Sequence, residues 1–320
     1  MRIKKLKIFS LLNTFFYLFL CLFLFAFVNV VNAETENKND IKSDNKPENK
    51  TIKINVHVSY SLSEVVKEAA ENFKQIYLKD NAKNDKKIDF EFNFFVNSNS
   101  MLLSKIAKDN QNFDLLFCDS QKISQIAIQK NLIHQNFAFL SDSVWVVVSK
   151  NLAKIPHNIN ELQDFHIHKI LISQAEDDKI FKYIKNLFQQ QENYKTWSVL
   201  QDQQNKIFYT TSSIQNLELL SNNQADASFA LLSEATQFID KNKLQIAFEI
   251  DLGNYVINYF SAVNVNKDYQ KDDNTKQQYE IMQSFLDYLQ NPDNKNYESF
   301  AKIYKKYGYQ EAKQEILQVQ

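Results

Sequence analysis

Glycine is almost missing from this chain: there are two in 320 residues, Gly253 and Gly308. A dinucleotide-binding turn, a Walker loop and a nucleophile elbow all need closely spaced glycines, so glycine-cradled nucleotide chemistry is argued against from the start. Cysteine is equally scarce, at Cys21 and Cys118, which is too few for a disulfide framework. Neither sign of charge dominates. Lys and Arg number 37 against 38 Asp and Glu, and the formal net charge of -1 provides no general field to draw in nucleic acid. What is present, 44% hydrophobic and 23% charged residues, excludes a polytopic membrane protein and a fully disordered one. The length allows two domains, each with a sizeable core.

Residues 1–33 read as a secretory signal. Arg2, Lys4, Lys5 and Lys7 form a basic start, 15–28 is an unbroken apolar stretch, and Val31-Asn32-Ala33 places small residues at a cleavage site. Cleavage after Ala33 is the simplest reading; the alternative is an uncleaved anchor, because 8–31 is nearly long enough to span a bilayer. Leu20 is too bulky to precede a lipidated cysteine at Cys21. Residues 34–50 hold one apolar residue among dense charges of both signs and read as a flexible linker. The remaining thiol, Cys118, lies in an apolar run, which suits a buried inert side chain.

From Thr51 the chain alternates β-type apolar runs with helix-period segments, the pattern of βα units on a mostly parallel sheet. Residues 52–58 make a first strand. Ser61 then precedes Leu62, Val65, Val66, Ala69, Ala70 and Phe73, with Glu64 placed for a capping box. Residues 88–96 make a second strand, and Ser100 opens a helix through Leu102, Leu103, Ile106 and Ala107. Residues 113–118 form a buried third strand followed by another helix. Strands at 144–148, 170–173 and 227–231 belong to a second lobe, 257–265 returns to the first, and helices at 279–289 and 297–307 close the chain. The polar stretches 79–87, 189–194 and 267–278 read as surface loops.

Ser61 and Ser100 both stand at strand-to-helix junctions, where unpaired backbone N–H groups and the helix dipole favour an anion. Parallel strands aim both junctions at one carboxyl edge, the edge where open sheets bind ligands. A serine at a helix start is also an ordinary cap. In order and spacing, VHVSYSLSEVVKEAAENFK, NSNSMLLSKIA, FDLLFCDSQKISQIAIQKNLI, SVWVVVSKN, NNQADASFALLSEA and FLDYLQNPDNKNYESFAKIYKKYGY resemble the periplasmic molybdate-binding proteins of ABC importers across roughly 52–309.

That resemblance implies a two-lobed α/β periplasmic-binding-protein fold, each lobe a mixed, mostly parallel sheet flanked by helices. Lobe I would be 51–140 plus 248–320 and lobe II 141–247. It implies a tetrahedral oxyanion in the interlobe cleft, held by Ser61 and Ser100 with the neighbouring amides of Leu62 and Met101, and by a helix start near Ser213. It implies a monomer without cofactor or chemical turnover, delivering its ligand to an ABC permease. Two positions depart from the family pattern: Leu231 stands where the family has a ligand-contacting Tyr, and Glu176, Asp177 and Asp178 replace a neutral turn. A fold that has lost oxyanion binding and serves as an envelope interaction protein is the rival from another class. No catalytic constellation supports a hydrolase. His166 and His168 share a strand face, with no third metal ligand fixed by sequence. Tyr297, Tyr304, Tyr307 and Tyr309 read as helix packing, not as a sugar platform.

N-terminal sequencing of the envelope-recovered protein is expected to start at Glu34; full-length protein fixed in the membrane would instead mark an anchor.

Overall fold

The computed structural model describes residues 51–82, 88–108, 113–134, 136–174, 179–189, 191–203, 206–251, 257–312 and 316–317. Gly253 and the acidic triplet Glu176, Asp177 and Asp178 lie outside them.

Strand β1 (Ile52–Ser59) runs through a 3-10 turn, Tyr60–Leu62, into helix α1 (Ser63–Ala82), which buries the stripe Val65, Val66, Ala69, Ala70 and Phe73. The unit repeats as β2 (Phe90–Asn97) with α2 (Asn99–Ala107), then β3 (Leu115–Cys118) with α3 (Gln121–Gln129). β4 (Asn136–Asp142) passes almost directly into β5 (Val144–Ser149). There follow β6 (Ile170–Ser173), α4 (Lys179–Gln189), α5 (Gln191–Asp202), β7 (Ile207–Thr210), α6 (Ser213–Ser221), β8 (Ala227–Leu231), α7 (Leu232–Asp240) and β9 (Leu244–Glu249). β10 (Ile257–Val263), α8 (Asp273–Gln290), α9 (Tyr297–Lys306) and the short β11 (Gln310–Glu311) and β12 (Ile316–Leu317) complete the described chain.

These strands form two sheets. One has the order β11-β4-β10-β3-β1-β2, with β12 also on β4; the other has the order β7-β6-β8-β5-β9. In the first, β1 is parallel to β2 and β3, and β10 is antiparallel to both β3 and β4, so β4 runs with the parallel set. In the second, β6 is parallel to β7 and β8, and β5 runs against β8. This is the mixed, helix-flanked, two-sheet architecture expected from the alternation.

Register shows how the sheets meet. Asp142, at the carboxyl end of β4, pairs with Ile257 at the start of β10. Two residues on, Val144 begins β5 beside Leu231, the carboxyl end of β8. The carboxyl edges of the two parallel sets therefore converge on 142–144. Asp142 secures this crossover: its buried carboxylate accepts from the Ser143 N–H at 2.8 Å, the Ser233 hydroxyl at 2.5 Å and the Tyr259 hydroxyl at 3.0 Å. Gly308 adds a second tie. Its φ of +81° ends α9, and a Cβ there would meet the Thr236 hydroxyl and lie 2.8 Å from the Leu232 carbonyl, both on α7. Any side chain would push the closing helix off the second sheet's layer.

Several elements differ from the sequence expectations. β4, β7 and β9 were not read, because short runs such as IFYT carry little period of their own. Residues 191–194 begin a helix where polar composition suggested a loop. Trp197 of α5 stacks on Phe188 at 4.3 Å and Leu200 is buried, so tertiary packing outweighs the polar composition of the helix start. α1 starts at Ser63, two residues beyond Ser61, and no Ser61–Glu64 capping box forms. α2 is capped by Ser98, whose hydroxyl accepts from the Met101 N–H at 3.3 Å, so Ser100 lies inside the first turn. Asn and Ser crowd both junctions, so any of several residues could have served as the cap.

Two buried titrating groups pull stability in opposite directions. Burial pushes Asp142 up to about 6 from 3.8, although its hydrogen bonds oppose this, so its contribution is full at low pH and is lost as pH rises through about 6. His57, between the rings of Phe95 and Phe113, is held down at about 4 from 6.5 by burial and then by Lys105 and Lys267. Its contribution is full above 6.5 and is lost as pH falls towards 4. Relative to wild type, His57→Phe is expected to gain stability on acidification from pH 6.5 to 4 and Asp142→Asn to lose it. Urea midpoints across that range check both signs.

Candidate functional site

The site is built where the carboxyl edges converge. On the first sheet, β1 ends at Ser59, whose buried hydroxyl accepts the Asp119 N–H at 3.2 Å and lies 3.3 Å from the Asn99 side-chain oxygen, to which it donates. The ends of β1 and β3 and the start of α2 are thereby drawn together. Ser61, in the exposed 3-10 turn, donates its hydroxyl to Asp119 Oδ2 at 2.7 Å. The Tyr309 hydroxyl, arriving from beyond α9, donates to the Ser61 carbonyl at 2.7 Å. Burial, then the charge of Asp142, pushes Tyr309 far above the usual tyrosine range, so it remains a donor. Its ring packs edge-on against that of Tyr259 on β10, with the centroids 5.2 Å apart. Tyr309 thus joins the ligand-edge turn to β10, and the preceding Gly308 brings this part of the chain against α7.

Each residue singled out in the sequence takes a definite place here. Ser61 and Ser100 are both exposed on this edge, and the Ser100 hydroxyl is 3.0 Å from that of Ser98. Leu62 points wholly into the core, leaving only its backbone for a ligand. The Met101 side chain is about half exposed, and its N–H is taken by Ser98. Ser213 is the first residue of α6, with Ser212 as cap accepting from the Gln215 N–H at 3.1 Å. Leu231, 7% exposed, sits at the β8–α7 junction and offers no donor.

Other residues on these edges carry little signal in the sequence. Ser173 ends β6 and pairs in register with Thr210 at the end of β7. The Thr210 hydroxyl donates to Asn216 Oδ1 at 2.5 Å. Ser173 is 2% and Asn216 0% exposed, yet Ser173 Oγ and Asn216 Nδ2 have no partner among the described residues. Two unpaired buried groups beside a helix start are a local store of hydrogen-bonding capacity. The only sequence signal for them is the polar run TTSS after an apolar strand. Exposed apolar side chains rim the same edges: Tyr60, Val96 and Met101 on the first sheet, Tyr209 and Ile214 on the second.

Cys118 is buried with its sulfur 3.2 Å from the Ser124 hydroxyl. No group of three His, Cys, Asp or Glu able to hold a metal occurs among the described residues. Tyr297, Tyr304 and Tyr307 are helix-associated, Tyr307 donating to Glu68 at 2.7 Å. Among the described residues no helix is long and apolar enough to cross a membrane.

No protein of curated function is recognisably similar in sequence. Among solved structures, the substrate-binding domain of a putative molybdenum ABC transporter from Clostridium difficile superposes with a TM-score of 0.61 at 17% identity, covering 82% of this chain and 100% of that one. The periplasmic molybdate-binding protein of Azotobacter vinelandii gives 0.52 at 14%, covering 81% and 100%. PEB3 of Campylobacter jejuni, bound to L-phospholactate, gives 0.51 at 15%, also covering 81% and 100%. At such identities these likenesses carry the fold. The family model for bacterial extracellular solute-binding proteins matches residues 54–310, from the middle of β1 to β11. The chain thus belongs to the bacterial extracellular solute-binding proteins, a family that binds its solutes without transforming them.

Proposed function

We propose that the protein binds a tetrahedral oxyanion between its two sheets and delivers it to an ABC permease from the periplasmic side of the membrane. One observation carries this reading: the carboxyl edges of both parallel sets converge on 142–144, bringing the Ser61 turn and the start of α2 to one side and the start of α6 at Ser213 to the other. Helix starts provide N–H groups and a positive dipole end without any fixed cation, which suits an anion that must be released again. By their descriptions, one protein of like fold is a molybdate-binding protein, one is the substrate-binding domain of a putative molybdenum ABC transporter, and one has L-phospholactate bound. Molybdate and the phosphate group of phospholactate are both tetrahedral oxyanions.

Closure follows from the same geometry. A ligand touching both edges stabilises the state in which they approach, by the difference between its affinities for the closed and open forms. The exposed Tyr60, Met101, Tyr209 and Ile214 would lose water on closure and add to it. Residues 51–140 with 248–320 would form one moving lobe and 141–247 the other, hinged at 142–144. Residues 1–33 would serve as the export signal and 34–50 as the linker. Leu231 favours a second reading, the envelope interaction protein, because it removes a donor from the second edge.

Calorimetry with molybdate, tungstate, sulfate and phosphate, paired with small-angle scattering, separates these. Binding with compaction is expected for a receptor, and Ser61→Ala or Ser100→Ala should each weaken it by about 1.5–3 kcal/mol, the range for hydrogen bonds to charged groups. Undiminished affinity in both variants would move the site elsewhere. Absence of both binding and compaction would favour the interaction protein.

A further inference from the structure

A hydroxyl has one proton to give, and the Ser61 hydroxyl gives it to Asp119. Towards the cleft, Ser61 Oγ is therefore left with lone pairs, beside a carboxylate that has nothing but lone pairs. Asp119 has little reason to release that proton. Its Oδ1 is buried and without a partner among the described residues, so Oδ2 and the Ser61 hydroxyl carry the hydrogen bonding of this carboxylate. The backbone of Asp119 is fixed by its N–H to Ser59 Oγ, which in turn is tied to Asn99 at the start of α2. Asp119 is thus a built part of the edge, held at two points.

We infer that the Ser61–Asp119 pair selects a tetrahedral anion that keeps a proton, a hydrogen phosphate or a phosphonate, over the fully deprotonated molybdate, tungstate and sulfate. This rests on the oxyanion reading above and names the class of ligand within it. The pair demands a donor from the ligand, whereas the helix starts demand acceptors; an anion bearing both O–H and O⁻ satisfies both. An aprotic dianion would have to displace the Ser61 proton from Asp119 and then sit against a bare carboxylate, a like-charge contact in a closing, water-poor cleft. At neutral pH phosphate and alkylphosphonates exist partly or largely with one proton, and molybdate and sulfate carry none. The exposed ring of Tyr60, in the same turn, gives an organic substituent something to lie against.

Calorimetry of the exported protein at neutral pH with inorganic phosphate, methylphosphonate, sulfate and molybdate tests this. Wild type is expected to bind phosphate or methylphosphonate at least tenfold more tightly than sulfate or molybdate. The better of the two protonated anions tells free phosphate from an organic phosphonate as the source. Asp119→Asn, whose amide offers a donor and frees the Ser61 hydroxyl, should reverse or erase that ratio, with an unliganded melting curve to establish that the variant is folded. Should the variant fail to fold, the wild-type ordering decides alone. Molybdate or sulfate binding to wild type as tightly as phosphate, or a ratio unmoved in folded Asp119→Asn, overturns the selection by Asp119 and leaves the oxyanion site standing. No binding of any of the four to either protein overturns the oxyanion reading and the selection with it.

Discussion

The structure depends on a carboxylate removed from water at the point where the chain passes from one sheet to the other. Desolvating Asp142 costs several kcal/mol, and the cost is only partly offset by the donors from three residues that converge on it: the N–H of Ser143 at the crossover, the N–H and hydroxyl of Ser233 on α7, and the hydroxyl of Tyr259 on β10. Ser233 belongs to the second sheet's layer and Tyr259 to the first. Orientation between the sheets is thus set by a directional, buried interaction at the crossover.

From that point the ligand edge is reached in two steps. The ring of Tyr259 packs edge-on against that of Tyr309 at 5.2 Å, and Tyr309 holds the carbonyl of Ser61. The segment that follows α9 is therefore a brace between crossover and candidate site, with Gly308 letting it approach α7 and Gln310 donating to the Ser143 hydroxyl at 3.0 Å. A tyrosine counted with its neighbours as packing is, at position 309, a structural part of the candidate site.

What was legible in the sequence followed locality. The stripe through Val65, Val66, Ala69, Ala70 and Phe73 announces α1, and continuous apolar runs announce β3, β5 and β8, because period and composition are read within a dozen residues. Ser61 and Ser100 were visible as strand-to-helix residues for the same reason. Asp119 was not: its partner Ser61 is 58 residues away, and nothing nearby distinguishes it from a solvated loop acid. Ser173, Thr210 and Asn216 acquire meaning only when β6 and β7 are laid in register. α5 was missed because its helical state depends on Trp197 meeting Phe188.

The position of β10 bears on how such a chain is made. It lies between β3 and β4, although more than a hundred residues of the second sheet separate it from either in sequence. Until the ribosome has passed Val263, the first sheet is missing an interior strand, and β3 and β4 have no shared neighbour to join them. The nascent amino-terminal half therefore cannot close its core early, and contacts of such long range form slowly. In a member of an extracellular family, such a delay holds the chain longer in the unfolded form in which it can be threaded across a membrane.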